Sequence, residues 1–243
     1  MMPAFKDQVA LVTGASRGIG RAIALGLVAE DATVCLVGRD TAVLDAVAQS
    51  ADRGRPRPVA LHADVTSDDD IRGLAERLQH EFGRLDLLVH SHGSYLRGPV
   101  ASVPAADLDL LYRANVRSVY VLTQSLLPLL KASRGQIVFV NSSIVGNAQP
   151  ELSQYAATKQ ALRALADSLR QELNPEGVRV LAVYPGRTAT PRQAGIHALE
   201  GKPYHPERLI QPEDVAFIVI SALKVARTAE VTDIHLRPMI KPA

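Results

Sequence analysis

Short, almost unbroken apolar runs alternate along the chain with longer stretches in which apolar residues return every three or four positions. The short runs are "QVALVTG" (8–14), "TVCLVG" (33–38), "PVALHAD" (58–64), "LDLLVH" (85–90), "GQIVFVN" (135–141), "VRVLAVYP" (178–185) and "DIHLRP" (233–238). Continuous rather than alternating apolar character predicts strands covered on both faces, and hence a parallel sheet. Amphipathic stretches near 18–30, 41–52, 67–82, 105–131, 154–173 and 212–226 lie between them and predict helices. The regular alternation predicts an α/β class fold: a single-domain, doubly wound (Rossmann-type) parallel sheet of about seven strands with helices on both faces.

Punctuation residues sharpen the boundaries. "DVTSDDD" supplies caps ahead of Ile71, and "NPEG" (174–177) closes the helix over 154–173. Pro128 falls inside a helical pattern and is expected to bend or end it near Leu127. No repeat or linker divides the chain, so residues 1–243 are expected to form one domain. The least regular segment, 186–211, reads as an excursion with one short helix, of the kind that forms lids and binding loops.

Composition narrows the function classes. Hydrophobic residues are 47% and charged residues 21% of the 243, which fits a globular chain and excludes a disordered one. Trp is absent, so Val, Leu, Ile and Ala must build the core. A net charge of +2 does not point to nucleic acid, and the basic run "RGRPRP" (53–58) reads as a solvated loop. No apolar stretch approaches the ~18 residues a membrane helix requires, so no membrane partner is expected. Cys35 is the lone cysteine and sits in the apolar "TVCLV", where an inert buried thiol is expected. A chain without intrachain disulfides suits a reducing compartment, and a cytoplasmic location is expected.

Two features carry chemistry. "TGASRGIG" (13–20) follows the first strand and opens the first helix. Glycines there let backbone turn sharply and approach a ligand, and the helix N-terminus offers free N–H groups to an anion, which predicts dinucleotide binding. In "QYAATKQAL", Tyr155 and Lys159 are four residues apart and share a helix face. The ammonium would favour the phenolate and tune a proton donor; the other reading is a tyrosine packed under a lysine stem.

The spacing T-G-x-x-x-G-x-G, with Gly14, Gly18 and Gly20, resembles the signature of the short-chain dehydrogenase/reductase family. Further matches follow in family order over nearly the whole chain: "ADV" (63–65), "AN" (114–115), "NSSIVG" (141–146), "YAATK" (155–159) and "PGRTAT" (185–190). The resemblance implies a hydride-transferring enzyme acting on a small-molecule carbonyl or secondary alcohol. It implies Tyr155 as general acid, Lys159 lowering its pKa and holding the cofactor ribose, and Ser143 stabilising charge on the substrate oxygen. Ser142 is the rival, and Ser143 is preferred because Gly146 follows it by three. Asn115 resembles the residue whose main chain holds a water in a proton path. Cofactor contacts are implied for Ser16, Arg17, Ile19, Asp64, Val65, Gly93, Pro185, Gly186, Thr188 and Thr190 besides the three glycines. No metal site is expected.

Relatives that use NAD carry a carboxylate at the end of the second strand. This chain has Gly38 and then Arg39 there, with Arg17 in the glycine turn, and two guanidiniums suit a 2′-phosphate. NADP(H) is therefore expected over NAD(H), with Asp40 as a helix cap. Two departures stand out. "HSHG" (90–93) replaces the family's "NNAG", putting His90 and His92 where an amide and an alanine are usual. The chain also ends "VTDIHLRPMIKPA" without the Gly-Gly segment of many relatives. A homodimer or homotetramer is implied, with contacts near 105–131 and 154–173, and the substrate pocket should draw on Ser94, Tyr95 and Arg187. The alternative reading is a non-catalytic NADP-binding sensor or scaffold, which the intact Ser143, Tyr155 and Lys159 set disfavours; a related epimerase or dehydratase is weaker still, since those relatives carry a larger substrate domain.

Overall fold

In the computed structural model, residues 4–51 and 54–240 are described. Seven strands form one parallel sheet: β1 (Val9–Thr13), β2 (Thr33–Gly38), β3 (Val59–His62), β4 (Leu87–His90), β5 (Gln136–Val140), β6 (Arg179–Pro185) and β7 (Asp233–Leu236). Their order is β3-β2-β1-β4-β5-β6-β7. The order reverses between β1 and β4, and a doubly wound sheet opens its binding crevice at the carboxyl ends of strands at such a point.

The continuous apolar runs are explained by burial on both faces. All five residues of β1 and of β5 are buried. Alternate β1 residues serve opposite layers: Leu11 meets Leu78, Leu122 and Leu126, whereas Ala10 and Val12 join Ile23, Leu27, Val215 and Val219. The first layer holds α3 (Asp68–Glu81), α5 (Ser118–Ser133) and α6 (Ser153–Leu173); the second holds α1 (Gly18–Ala29), α2 (Thr41–Ser50) and α8 (Pro212–Leu223). Of the two remaining helices, α4 (Ala105–Tyr112) packs against α6, and α7 (Pro191–Leu199) borders the crevice end.

Caps form where the punctuation predicts. Ser67 accepts from the Asp70 N–H and three aspartates follow in the first turn of α3, where the helix dipole favours them. Asp40 caps α2 through the Val43 N–H at 3.1 Å. After α6 a 3-10 turn, Asn174–Glu176, ends on Gly177 at φ 81°, and the excursion over 186–211 contains the helix α7 and a short turn, Pro206–Arg208. Arg53 of the basic run lies outside the described residues. Cys35 is fully buried and desolvation pushes its thiol up to about 12, which leaves it inert.

Pro128 does not end its helix. Residues 118–133 remain helical through it. The carbonyl that loses its partner belongs to Gln124, on the exposed face where water can serve it, while Leu126, Leu129 and Leu130 are buried and hold the other face. The interruption lies earlier instead. The pattern over 105–131 is divided by a π-helical turn, Arg113–Arg117, between α4 and α5. Such turns concentrate at functional sites, and this one contains Asn115.

Candidate active site

The carboxyl ends of the central strands open into a cleft of about 580 Å³. At its floor the chain leaves β1 into the glycine turn. Gly14 adopts φ +65°, and a Cβ there would lie 2.8 Å from Ser91 O and 3.0 Å from His92 N, so the turn can sit against the end of β4 only as glycine. Gly18 adopts φ +55° at the start of α1, and its bare face abuts Thr190, 3.0 Å from where a Cβ would be. The N-termini of α1 and α7 thus converge on one end of the cleft. Arg17 and Arg39 line it there, and neither has an ion-pair partner among the described residues. Asp64 follows β3. Burial pushes its carboxyl up, but two hydrogen bonds donated by Thr66 and the charge of Arg39 outweigh that and hold it below the ordinary range.

Of the catalytic and cofactor-contacting residues expected from the sequence, every one but Asn115 lines this single cleft, from Gly14 through Thr190 and including Ser143, Tyr155 and Lys159. Asn115 is buried behind the wall. Its Oδ1 accepts the Ser94 N–H at 2.6 Å, and its Nδ2 donates to Ser94 O and Thr158 Oγ1, both at 3.0 Å. The side chain therefore pins the loop after β4 to α6, one residue before Lys159.

Tyr155 and Lys159 sit on one face of α6, with the amine 5.9 Å from the phenol ring centroid. Lys159 is 4% exposed, and its nearest acceptor is a carbonyl, Val140 O at 3.4 Å. Desolvation, with a smaller contribution from the Arg192 charge, lowers its pKa to about 7. The phenol behaves differently from the expectation that Lys159 would depress it. Burial raises the Tyr155 pKa above 10.0, and the opposing contributions come from the Arg192 charge and the nearby Ser142 hydroxyl. A half-neutral lysine carries too little charge to dominate.

Both candidate serines line the cleft with Tyr155, Ser142 half-buried and Ser143 exposed. Past Val140 the chain turns immediately into a 3-10 segment, Ser143–Gly146, whose N-cap is Ser142 accepting from the Ile144 N–H.

The two histidines are structural bridges. His90 is buried, stacks on Phe139 at 5.2 Å and approaches Thr123 Oγ1 at 2.9 Å; burial keeps it neutral, its pKa well below 6.5. His92 spans two elements: Nδ1 is 2.7 Å from Thr13 Oγ1 at the end of β1, and Nε2 is 2.8 Å from Ser118 Oγ. Ser118 gives its own proton to Ala114 O, so Nε2–H donates to Ser118. Burial, then the Lys159 and Arg192 charges, lower the His92 pKa to about 3, which keeps the bridge neutral. Arg192 itself was not anticipated from the sequence. From the first turn of α7 its guanidinium crosses the cleft to Gly93 O, and among the described residues it has no carboxylate partner. A cation directly after Thr190-Pro191, at a helix N-terminus that disfavours positive charge, was the available signal.

A family model described as short chain dehydrogenase matches residues 8–200. The chain belongs to the short-chain dehydrogenase family. An uncharacterized oxidoreductase of Staphylococcus epidermidis is 32% identical over 241 residues, covering 98% of this chain and 100% of that protein. A short chain dehydrogenase from Escherichia coli CFT073, solved with NADPH, superposes with a TM-score of 0.88 at 28% identity, over 97% of this chain and 98% of that one. A 3-ketoacyl-(acyl-carrier-protein) reductase from Brucella melitensis, solved with NADH, gives 0.84 at 26% identity, over 96% and 98%. This dehydrogenase is accordingly an oxidoreductase of one Rossmann-like domain. No helix among its described residues is long and apolar enough to cross a membrane.

Proposed function

We propose that this dehydrogenase transfers hydride between NADP(H) and the carbonyl or secondary alcohol of a small molecule, with Tyr155 as general acid and base. The observation that carries the reading is the placement of Tyr155, Ser142 and Lys159 in the same cleft as the glycine turn, Arg17 and Arg39. The cleft fits a dinucleotide: Gly14 leaves room for close approach, α1 presents its N-terminus, and Arg17 and Arg39 hold positive charge without carboxylate partners. Two guanidiniums favour a ribose 2′-phosphate and hence NADP(H) over NAD(H). Bound nicotinamide supplies or accepts the hydride.

The chain's own groups manage the proton and the charge on oxygen. Tyr155 gives its proton to the substrate oxygen as negative charge develops there, and takes one when an alcohol is oxidised. Ser142 offers the same oxygen a second hydrogen bond. Lys159 becomes fully charged once anionic and polar groups line the cleft, and its charge then lowers the barrier to ionising the phenol. Asn115 fixes Ser94 and Thr158 around that lysine, and its π-helical turn leaves main-chain groups for a proton path. Exposed Leu110, Tyr112 and Tyr120 on α4 and α5 support assembly as a homodimer or homotetramer. The buried, unpaired Cys35 accords with a cytoplasmic location.

The test is Tyr155→Phe. NADPH should bind as in the parent protein while reduction of a ketone panel, followed by nicotinamide absorbance, is abolished. Near-parental turnover refutes the general-acid role, and binding without turnover in the parent leaves the sensor or scaffold reading.

A further inference from the structure

The charged residues around the cleft divide into two sets. Toward the glycine turn, Arg17, Arg39 and Arg192 have no carboxylate partner within 4.0 Å among the described residues. At the opposite end two carboxylates, Glu151 and Glu200, hold Arg97 and Arg187, and Lys202 Nζ also lies 3.8 Å from Glu200. Arg97 donates from Nε to Glu151 at 2.7 Å and from Nη1 to Glu200 at 2.9 Å. Arg187 donates from Nη2 to the other oxygen of Glu200 at 2.8 Å, and its Nη1 lies 3.3 Å from His197 Nε2. His197 Nδ1 is 2.9 Å from Gln193 O, which leaves Nε2 free to accept from Arg187. Glu200 is nearly enclosed, with its side chain 8% exposed.

This set ties three loops around the end of the cleft beyond Tyr155, a chamber with one apolar wall. Tyr95 packs edge-on against the Tyr155 ring at 5.1 Å, and both rest on Ile144, Leu152 and Ala156. Ile196 lines the same end. Arg187 and Glu200 also line it, but with the guanidinium committed to the carboxylate. Arg192 points the other way, to Gly93 O beside Lys159.

We propose that Glu200 is a specificity-determining residue: by neutralising Arg187 at the mouth of this chamber it selects neutral carbonyl compounds with an apolar body and rejects anionic ones. The inference deepens the oxidoreductase reading and rests on it for the location of the substrate. A carboxylate brought against Tyr95 and Leu152 gives up its hydration and meets Glu200 instead of a free cation. A neutral ketone pays no such cost and buries its apolar surface on the same side chains.

The experiment uses a matched pair, ethyl benzoylformate and benzoylformate, titrated into the full chain loaded with NADP⁺ so that no reduction takes place. The ester should bind at least about 10-fold tighter than the acid. Glu200→Gln frees Arg187 and should tighten the acid by about 10-fold while leaving NADP⁺ and ester affinity near parental values. Arg187→Gln in the Glu200→Gln background should remove that gain. An acid that binds the parent protein as well as the ester, an unchanged ratio in Glu200→Gln, or failure of both probes to bind protein that takes NADP⁺ overturns the proposal. Turnover separates the two readings: an ester that binds as expected with NADPH but is not reduced defeats the oxidoreductase assignment and leaves the charge selection standing.

Discussion

Ser142 is half-buried in the cleft wall that Tyr155 also lines, while Ser143, its neighbour in sequence, lines the same cleft but is exposed. A half-buried hydroxyl in the wall beside the phenol is shielded from water and available to the oxygen that the phenol protonates. The exposed hydroxyl of Ser143 is solvated instead. Ser142→Ala should therefore lower kcat by roughly 10²-fold or more, the scale on which oxyanion donors act, with NADPH affinity retained. Ser143→Ala should stay within a few-fold of the parent. Steady-state kinetics on both variants decide the matter, and the reverse order of effects would return the role to Ser143.

Arg39 follows β2 directly and lines the cleft without an ion-pair partner among the described residues. Its guanidinium is then free for a 2′-phosphate, and its neighbour Asp40 is spent on capping α2. Arg39→Ala should weaken NADPH binding by about 10-fold or more and leave NADH binding unchanged, since only NADPH offers the extra phosphate. Parallel fluorescence titrations with the two coenzymes measure this. Equal losses for both, or parental NADH affinity matching that for NADPH, would remove the basis for NADP(H) preference.

Much of this architecture could be read from residues that act locally. Unbroken apolar runs announced buried parallel strands, Ser67 and Asp40 announced helix starts, and the i, i+4 spacing of Tyr155 and Lys159 placed them on one face of α6. What escaped depends on distant partners. The different burial of Ser142 and Ser143 follows from the 3-10 turn after β5, and His92 finds Thr13 from 79 positions away. Pro128 survives in α5 because Gln124 faces water, a property of the packing and not of the local pattern. Arg187 was expected at the substrate pocket, but that Glu200, 13 residues on, holds it could not be read locally. The effect of Lys159 on the phenol depends on packing in the same way: burial brings its pKa to about 7, which the i, i+4 spacing does not show.

Arg192 provides a third prediction. Its helix start abuts Gly18, so its guanidinium stands opposite the N-terminus of α1, where a dinucleotide's diphosphate is expected. Its present partner is one carbonyl, Gly93 O. Arg192→Ala should weaken NADPH and NADH alike, by about 10-fold each, in contrast to Arg39→Ala. Calorimetric titration of both coenzymes into the two variants separates a diphosphate contact from a 2′-phosphate contact, and parental affinity for both in Arg192→Ala would dismiss the arm.

Lys159 makes the stability of the protein depend on pH in a definite direction. Its folded pKa of about 7 lies below the ordinary 10.5, so between those values the unfolded chain binds the extra proton. Unfolding free energy must then rise with pH across that window, by at most about 1.4 kcal/mol per unit, and the cost of burying the charged amine is fully present below pH 7. Tyr155, raised above 10.0, has the opposite sign but acts only above pH 10, and Cys35, raised from 9.0 to about 12, opposes equally in parent and variant, so the difference between the two isolates the lysine. Urea unfolding of protein freed of coenzyme, compared with Lys159→Met at pH 6.5, 8 and 9.5, should show the parent gaining on the variant as pH climbs. Because the Arg192 charge contributes to the depression, Arg192→Ala should move the onset of that gain to higher pH. A stability difference between parent and Lys159→Met that stays constant over the range would mean the amine keeps its proton throughout, and the account of a half-neutral lysine beneath Tyr155 would fall with it.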